Sequence, residues 1–207
     1  MQTIIFATGN QDKMKEIRMI LGGMGAEILS MKEAGIVLDV EENGTSFEEN
    51  ARIKAAAVAE RAKALSIDAI VMADDSGLEI DYLGGEPGIY SARYMGETTS
   101  YAVKNQNLID RLSGVPDEQR TARFVCAIAA VLPNGECLET RGVMEGRIGY
   151  GESGENGFGY DPIFILPKYG CTTADLDPEV KNEESHRGKA LRAMREKLMP
   201  MSIQNAG

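Results

Sequence analysis

Apolar residues along this chain fall into two rhythms, and the switches between them predict the elements. Thr3-Ile4-Ile5-Phe6-Ala7 is a short strand-like run, and Met14, Ile17, Ile20 and Leu21 then recur at the three- and four-residue spacing of an amphipathic helix. Asn10 stands where an N-cap belongs, and Gly22-Gly23 ends the helical pattern. Glu27 to Met31 reads as a second strand, so the chain opens β-α-β, which favours a parallel pair. After the polar break Glu41-Glu42-Asn43-Gly44, Thr45 and Ser46 each precede a glutamate by three residues, Glu48 and Glu49, giving overlapping capping-box signals. An Ala-rich helix is expected from Phe47 to about Leu65. The next apolar run, Ala69 to Met72, stops at Asp74-Asp75, which predicts a strand end there, and Leu78 to Tyr82 alternates like a separate, half-exposed strand.

The second half reads differently. Arg123 to Leu132 is a long apolar strand followed by Pro133-Asn134-Gly135 and further alternation, the signature of a hairpin. Ile163 to Leu166 forms another short strand, and Leu191, Met194 and Leu198 repeat at helical spacing within Gly188 to Leu198. The last residues are expected to fray. Antiparallel strands beside a β-α-β start imply an α/β fold with a mixed central β-sheet, flanking helices and two lobes forming a substrate cleft. No repeat or linker divides the chain, so residues 1–207 are expected to form a single domain.

Composition narrows the partners. A 207-residue chain that is 43% hydrophobic can bury a substantial core. With 22 Lys and Arg against 32 Asp and Glu, its formal charge of −10 disfavours general attraction to nucleic acid or to an anionic membrane. An anionic ligand must therefore meet locally gathered cations. Cys126, Cys137 and Cys171 form neither a CxxC pair nor an even set, which suits free thiols in a reducing compartment, and no targeting segment or membrane span is evident. A cytoplasmic location is the expectation.

The candidate chemistry sits at the seams of this pattern. Asp74 and Asp75 would present hard oxygen ligands where a strand stops, as sites for Mg²⁺ and its phosphates do, although Asp-Ser-Gly also suits a plain turn. Thr8-Gly9-Asn10-Gln11-Asp12-Lys13 joins a strand to a helix, where backbone N–H groups, the helix dipole and Lys13 favour an anion; it has neither P-loop nor GxGxxG spacing. Glu41 or Glu42, before the Ala-rich helix, is a candidate metal ligand, and Lys54 lies two turns into that helix. Phe158, Gly159, Tyr160 and Asp161 set aromatic rings among glycines, an arrangement on which a base can stack. His186 is the only histidine; with no GxSxG elbow it fits a hydrogen-bond donor beside Arg187 better than a triad base.

Taken together, Thr8-Gly9-Asn10 with Lys13 and Glu16, Glu42 to Ala51, Ala73 to Leu78, Pro87 to Arg93, Phe158 to Pro162 and Ser185 to Gly188 resemble the inosine triphosphate pyrophosphatase family over nearly the whole chain. The resemblance implies a homodimeric, Mg²⁺-dependent enzyme that hydrolyses the non-standard purine nucleoside triphosphates ITP, dITP and XTP to the monophosphate and pyrophosphate. By position it implies Asp75 as the catalytic acid and a metal ligand together with Glu42, with Glu41 as the alternative ligand. It places Thr8 to Lys13 on the triphosphate, makes Ser76 an adjoining substrate contact and matches Lys54 to the substrate-binding lysine of the long helix. Phe158, Gly159, Tyr160, Asp161, Lys181, His186 and Arg187 fall on the purine. Two other readings of the same residues are a phosphomonoesterase using Asp75 as nucleophile and a nucleotide-binding module without turnover; the identity of the product separates all three.

Overall fold

The first strand, β1 (Thr3–Phe6), runs into α1 (Gln11–Leu21) and returns as β2 (Glu27–Ser30), parallel to β1 with Ile4 opposite Ile28. The computed structural model describes residues 2–204, so the expected fraying of the last residues lies partly outside it. Asn10 caps α1 by accepting hydrogen bonds from the Asp12 and Lys13 amides, and Met14, Ile17 and Leu21 are buried, as the spacing predicts. α2 (Phe47–Ala64) follows, then β3 (Ile70–Ile80), which pairs parallel with β1. α3 (Tyr101–Arg111) leads to the hairpin of β4 (Thr121–Val131) and β5 (Cys137–Ile148), whose turn closes through Leu132 and Glu136. β6 (Phe164–Leu166) and β7 (Cys171–Thr172) add antiparallel pairs, and α4 (Pro178–Glu184) and α5 (His186–Gln204) end the chain. The strands form one seven-stranded mixed sheet in the order β2-β1-β3-β4-β5-β6-β7.

The chain divides into two compact units, each discontinuous in sequence. The first comprises the residues up to Asp75, Cys126–Gly142 and Arg187 onward; the second comprises Ser76–Val125 and Val143–His186. In the first, Ile4, Phe6, Ile70, Met72 and Ile128 pack with Met14 and Ile17 of α1 and Leu191 and Met194 of α5. In the second, Leu78, Ile80, Leu108, Phe124, Ile148 and Phe164 form the core. Among the described residues, no helix is long and apolar enough to cross a membrane.

Three sequence expectations are corrected. β3 does not stop at Asp74: it runs eleven residues through both acids, and Asp81–Leu83 forms a 3-10 turn rather than the end of a second strand. Its interior charges are tolerated because cations and amides from elsewhere in the chain reach them. Of the two capping boxes, only Ser46 caps α2, accepting from the Glu49 amide, while the Glu49 carboxylate turns back to the Thr45 amide and hydroxyl instead of to Ser46. The pattern also gave no sign of α3, whose buried positions are Lys104, Asn105 and Leu108.

Candidate active site

Successive residues of a strand face opposite sides of the sheet, so Asp74 and Asp75 do not form a side-by-side chelating pair. Asp74 shares its face with Ile70 and Met72, which pack among α1 and α5, and there its carboxylate meets Lys13 Nζ at 3.0 Å and Arg187 Nη2 at 3.3 Å. Arg187 in turn pairs with Glu16 at 2.5 Å, and its side chain is only 4% exposed. Burial alone would raise the Asp74 carboxyl, but the charges of Lys13, Arg187 and Lys54 hold it well below the usual carboxylate range. The same exchange, burial opposed by Asp74 and Glu16, keeps the Arg187 guanidinium firmly protonated.

Asp75 points toward α2. Its Oδ2 accepts a 3.0 Å hydrogen bond from the Asn50 amide, and the Asn50 Oδ1 accepts from the Gly44 N–H at 2.8 Å. Burial pushes the Asp75 carboxyl up to about 6, helped by the nearby charges of Glu42 and Asp74 and resisted by the Asn50 hydrogen bond and Lys54. Lys54 Nζ lies 2.7 Å from the Glu42 carboxylate and donates to the Asp74 carbonyl at 3.1 Å. Glu42 is half-buried, whereas Glu41 is exposed. Among the described residues no three His, Cys, Asp or Glu side chains gather as a ready-made metal cluster. Two converging carboxylates, one strained by burial and by its neighbour's charge, nevertheless match the one or two that Mg²⁺ takes when water and phosphate oxygens fill the rest of its shell.

The Thr8–Lys13 segment is open to solvent at Gly9, Asn10, Gln11 and Asp12, and a Cβ at Gly9 would meet nothing within 4 Å. Thr8 Oγ1 accepts from the Asn10 amide, and Asp12 pairs with Lys15. The Asn10 side chain already engages the amides of Asp12 and Lys13, so Lys13 is the segment's main charged donor.

The second unit holds the remaining candidates. Ser76 follows Asp75 on β3 and is half-buried. Asp161 begins a 3-10 turn, Asp161–Ile163, and is a hub: its Oδ2 accepts from the Phe158 N–H at 2.8 Å and from Lys181 Nζ at 2.7 Å, and its Oδ1 accepts from the Thr173 hydroxyl at 2.8 Å. Lys181 also stands 5.2 Å above the half-buried Phe158 ring. Gly157, at φ +77°, is required twice over, since a Cβ there would sit 2.2 Å from Asp161 Oδ2 and its backbone lies in the left-handed region. The two aromatic rings have different parts. Tyr160 is buried edge-on against Tyr101, with its hydroxyl donating to the Ser91 carbonyl at 2.7 Å, so Phe158 offers the more accessible face. Gly159 packs beside the Tyr101 ring. His186, at the start of α5, stacks on Phe124 at 4.9 Å and is buried.

Asn50, Glu16, Thr173 and Tyr101 were assigned no role from sequence. Asn50 left one usable trace: it lies on the buried stripe Phe47, Asn50, Ala51, Ala55, Val58 of α2, where an amide needs partners.

A model of the Ham1 family matches residues 4–197. The dITP/XTP pyrophosphatase of Clostridium perfringens is 47% identical to this chain over 201 residues, covering 96% of this chain and 98% of that protein. The Bacillus subtilis protein of the same name is 45% identical, covering 94% and 96%. Among solved structures, a HAM1 protein from Coxiella burnetii superimposes with a TM-score of 0.85 at 38% identity, covering 97% of this chain and all of that one. The Staphylococcus aureus Ham1 protein gives 0.84 at 40% identity, with the same coverage.

Proposed function

The chain belongs to the Ham1 family, and from that premise we propose that it hydrolyses non-standard purine nucleoside triphosphates, dITP, XTP and ITP, to the monophosphate and pyrophosphate. The observation that carries the reading is Asp75, a buried carboxylate with its proton affinity raised to about 6, set beside Glu42 and Lys54 in a chain nearly half identical to proteins named for this activity. Residues 1–207 act as one nucleotide pyrophosphatase domain, cytoplasmic and homodimeric.

In the proposed reaction a water oxygen bonds to the α-phosphorus, the bridging bond to the β-phosphate breaks, and pyrophosphate leaves with the electron pair. Asp75 orients that water and takes its proton, a role suited to a carboxyl whose affinity lies close to neutral pH. Lys13 and Lys54 offset the charge that shifts onto the leaving group, exchanging their present carboxylate partners for phosphate oxygens. Arg187 stays on Asp74, so that carboxylate keeps a cation when Lys13 turns to the phosphates. Glu42 and Asp75 would hold Mg²⁺, which when bound supplies positive charge across the phosphate oxygens. The Thr8–Lys13 segment and Ser76 take the triphosphate.

Purine selection is proposed for the remaining candidates. Phe158 supplies the stacking face, and Lys181, His186 and Arg187 are the candidate donors to the 6-oxo oxygen, Lys181 being held by Asp161 and Arg187 by Asp74 and Glu16. Adenine carries a donor at that position, and each unpaired buried donor would cost ~1–3 kcal/mol, so two or three such contacts suffice to reject ATP. Incubation with a panel of dITP, XTP, ITP, GTP and ATP, with Mg²⁺ or with chelator, followed by separation of products, tests the whole reading. Pyrophosphate from the deaminated purines, lost on chelation, is the expected result; stepwise inorganic phosphate, or equal kcat/KM for ATP and ITP, would overturn it.

A further inference from the structure

We infer that Asn50 is a positioning residue that aims the Asp75 carboxylate and ties it to the turn carrying Glu42. This inference rests on the function proposed above. The side chain is 1% exposed and makes one bond of each polarity: its Nδ2 donates to Asp75 Oδ2 at 3.0 Å, and its Oδ1 accepts from the Gly44 N–H at 2.8 Å. Only a primary amide of this length satisfies both ends. A carboxylate would set negative charge against Asp75, and an apolar isostere would leave the Gly44 amide and one carboxylate oxygen without their partner.

The backbone is fitted to this arrangement. A Cβ at Gly44 would stand 2.7 Å from Asn50 Oδ1 and 2.8 Å from Glu49 Cγ, so the turn lies against the amide without room for a side chain. Ser46 anchors the helix start on one side, and the Glu49 carboxylate holds Thr45 on the other. The Asn50 amide therefore spans from a fixed helix terminus to β3, two residues from Glu42 in the turn and directly on Asp75. A carboxylate that orients a water must hold its rotamer, and a hydrogen bond from a rigid helix does this without touching substrate.

The test uses the full-length protein. Asn50→Asp keeps an oxygen for the Gly44 amide but turns repulsion on Asp75, so it separates aiming the acid from holding the turn. With dITP and Mg²⁺, and folding verified by circular dichroism, kcat is expected to fall about 10–100-fold with KM changed less than about threefold. A crystal structure of the variant should show the Asp75 side chain rotated away from residue 50. A folded Asn50→Asp protein within about twofold of the parent kcat, or with Asp75 unmoved, overturns the inference. Should that variant fail to fold, Gly44→Ala, which displaces the amide from the opposite side, is expected to give the same kcat-selective loss, and an unchanged kcat there overturns the inference equally. If the unaltered protein releases no pyrophosphate, the proposed function fails by itself, and the rotamer of Asp75 in the variant crystal still decides the role of Asn50.

Discussion

Asp74 and Asp75 are consecutive on β3 yet have opposite proton affinities. Asp74 lies against Lys13 and Arg187 and is held firmly ionised, whereas Asp75 receives one amide hydrogen bond, faces Glu42 and binds its proton far more tightly than a free carboxyl. Burial is common to both. The difference lies in which helix each side of the strand meets, and it leaves Asp74 as a fixed charge and Asp75 as the carboxyl that suits the proposed proton-accepting role.

Asp75→Asn should therefore lose roughly 10²-fold or more in kcat while staying folded, because it removes the proposed general base and retains a side chain able to meet Asn50. Steady-state kinetics with dITP beside a thermal melt checks this. Turnover near the parent value would remove Asp75 from its role.

Lys181→Met should destabilise the protein by about 3–5 kcal/mol, since the Lys181–Asp161 pair is 6% exposed at both side chains and its rupture leaves a buried carboxylate short of a cation. Urea denaturation measures the loss. In whatever fraction stays folded, KM for the nucleotide should rise more than kcat falls.

Gly157→Ala should cost at least about 1 kcal/mol, because alanine is strained at φ +77° and its Cβ would displace Asp161 from Lys181. A second effect follows at the Phe158 amide, which depends on the same carboxylate. A melting temperature equal to the parent's would show that the segment refolds around the methyl group.

Glu33 gives a pH signature remote from the proposed chemistry. Hydrogen bonds from the Ser30 amide and hydroxyl, with Arg18 adding a smaller contribution, lower its carboxyl to about 2 from the 4.5 it starts with. A carboxyl lowered on folding stabilises the native state fully above its unfolded value, and that contribution disappears as pH falls through the folded value. Glu33→Gln should melt earlier than the parent at pH 7, and the gap should narrow between pH 4.5 and 2. A constant gap across that range would mean that folding does not lower the Glu33 carboxyl.

Local pattern carried the β-α-β opening, α2, the β4–β5 hairpin and α5, because each buries an apolar stripe at its own period. It failed where burial is polar. β3 looked like two strands because its centre is Asp74-Asp75, and the side chains that make this tolerable, Lys13 and Arg187, stand 61 and 113 residues away. α3 escaped for a related reason: two of its three buried residues are Lys104 and Asn105, which bond to the Ala92 carbonyl and to Glu152. Lys13 and Asp75 were legible as charged residues at seams, Lys54 as a lysine inside α2 and Lys181 only through the family resemblance, but the pairing of Lys181 with Asp161 and the bridging amide of Asn50 belong to tertiary contact alone.

The division of the chain after Asp75, Val125, Gly142 and His186 has an evolutionary corollary. Neither half occupies a continuous stretch of gene, so no single crossover or truncation can lend one of them to another protein. Three of the four seams, after Asp75, Val125 and Gly142, fall inside strands. Moving either unit into another protein would accordingly take several cuts, three of them through the backbone hydrogen bonding of a strand.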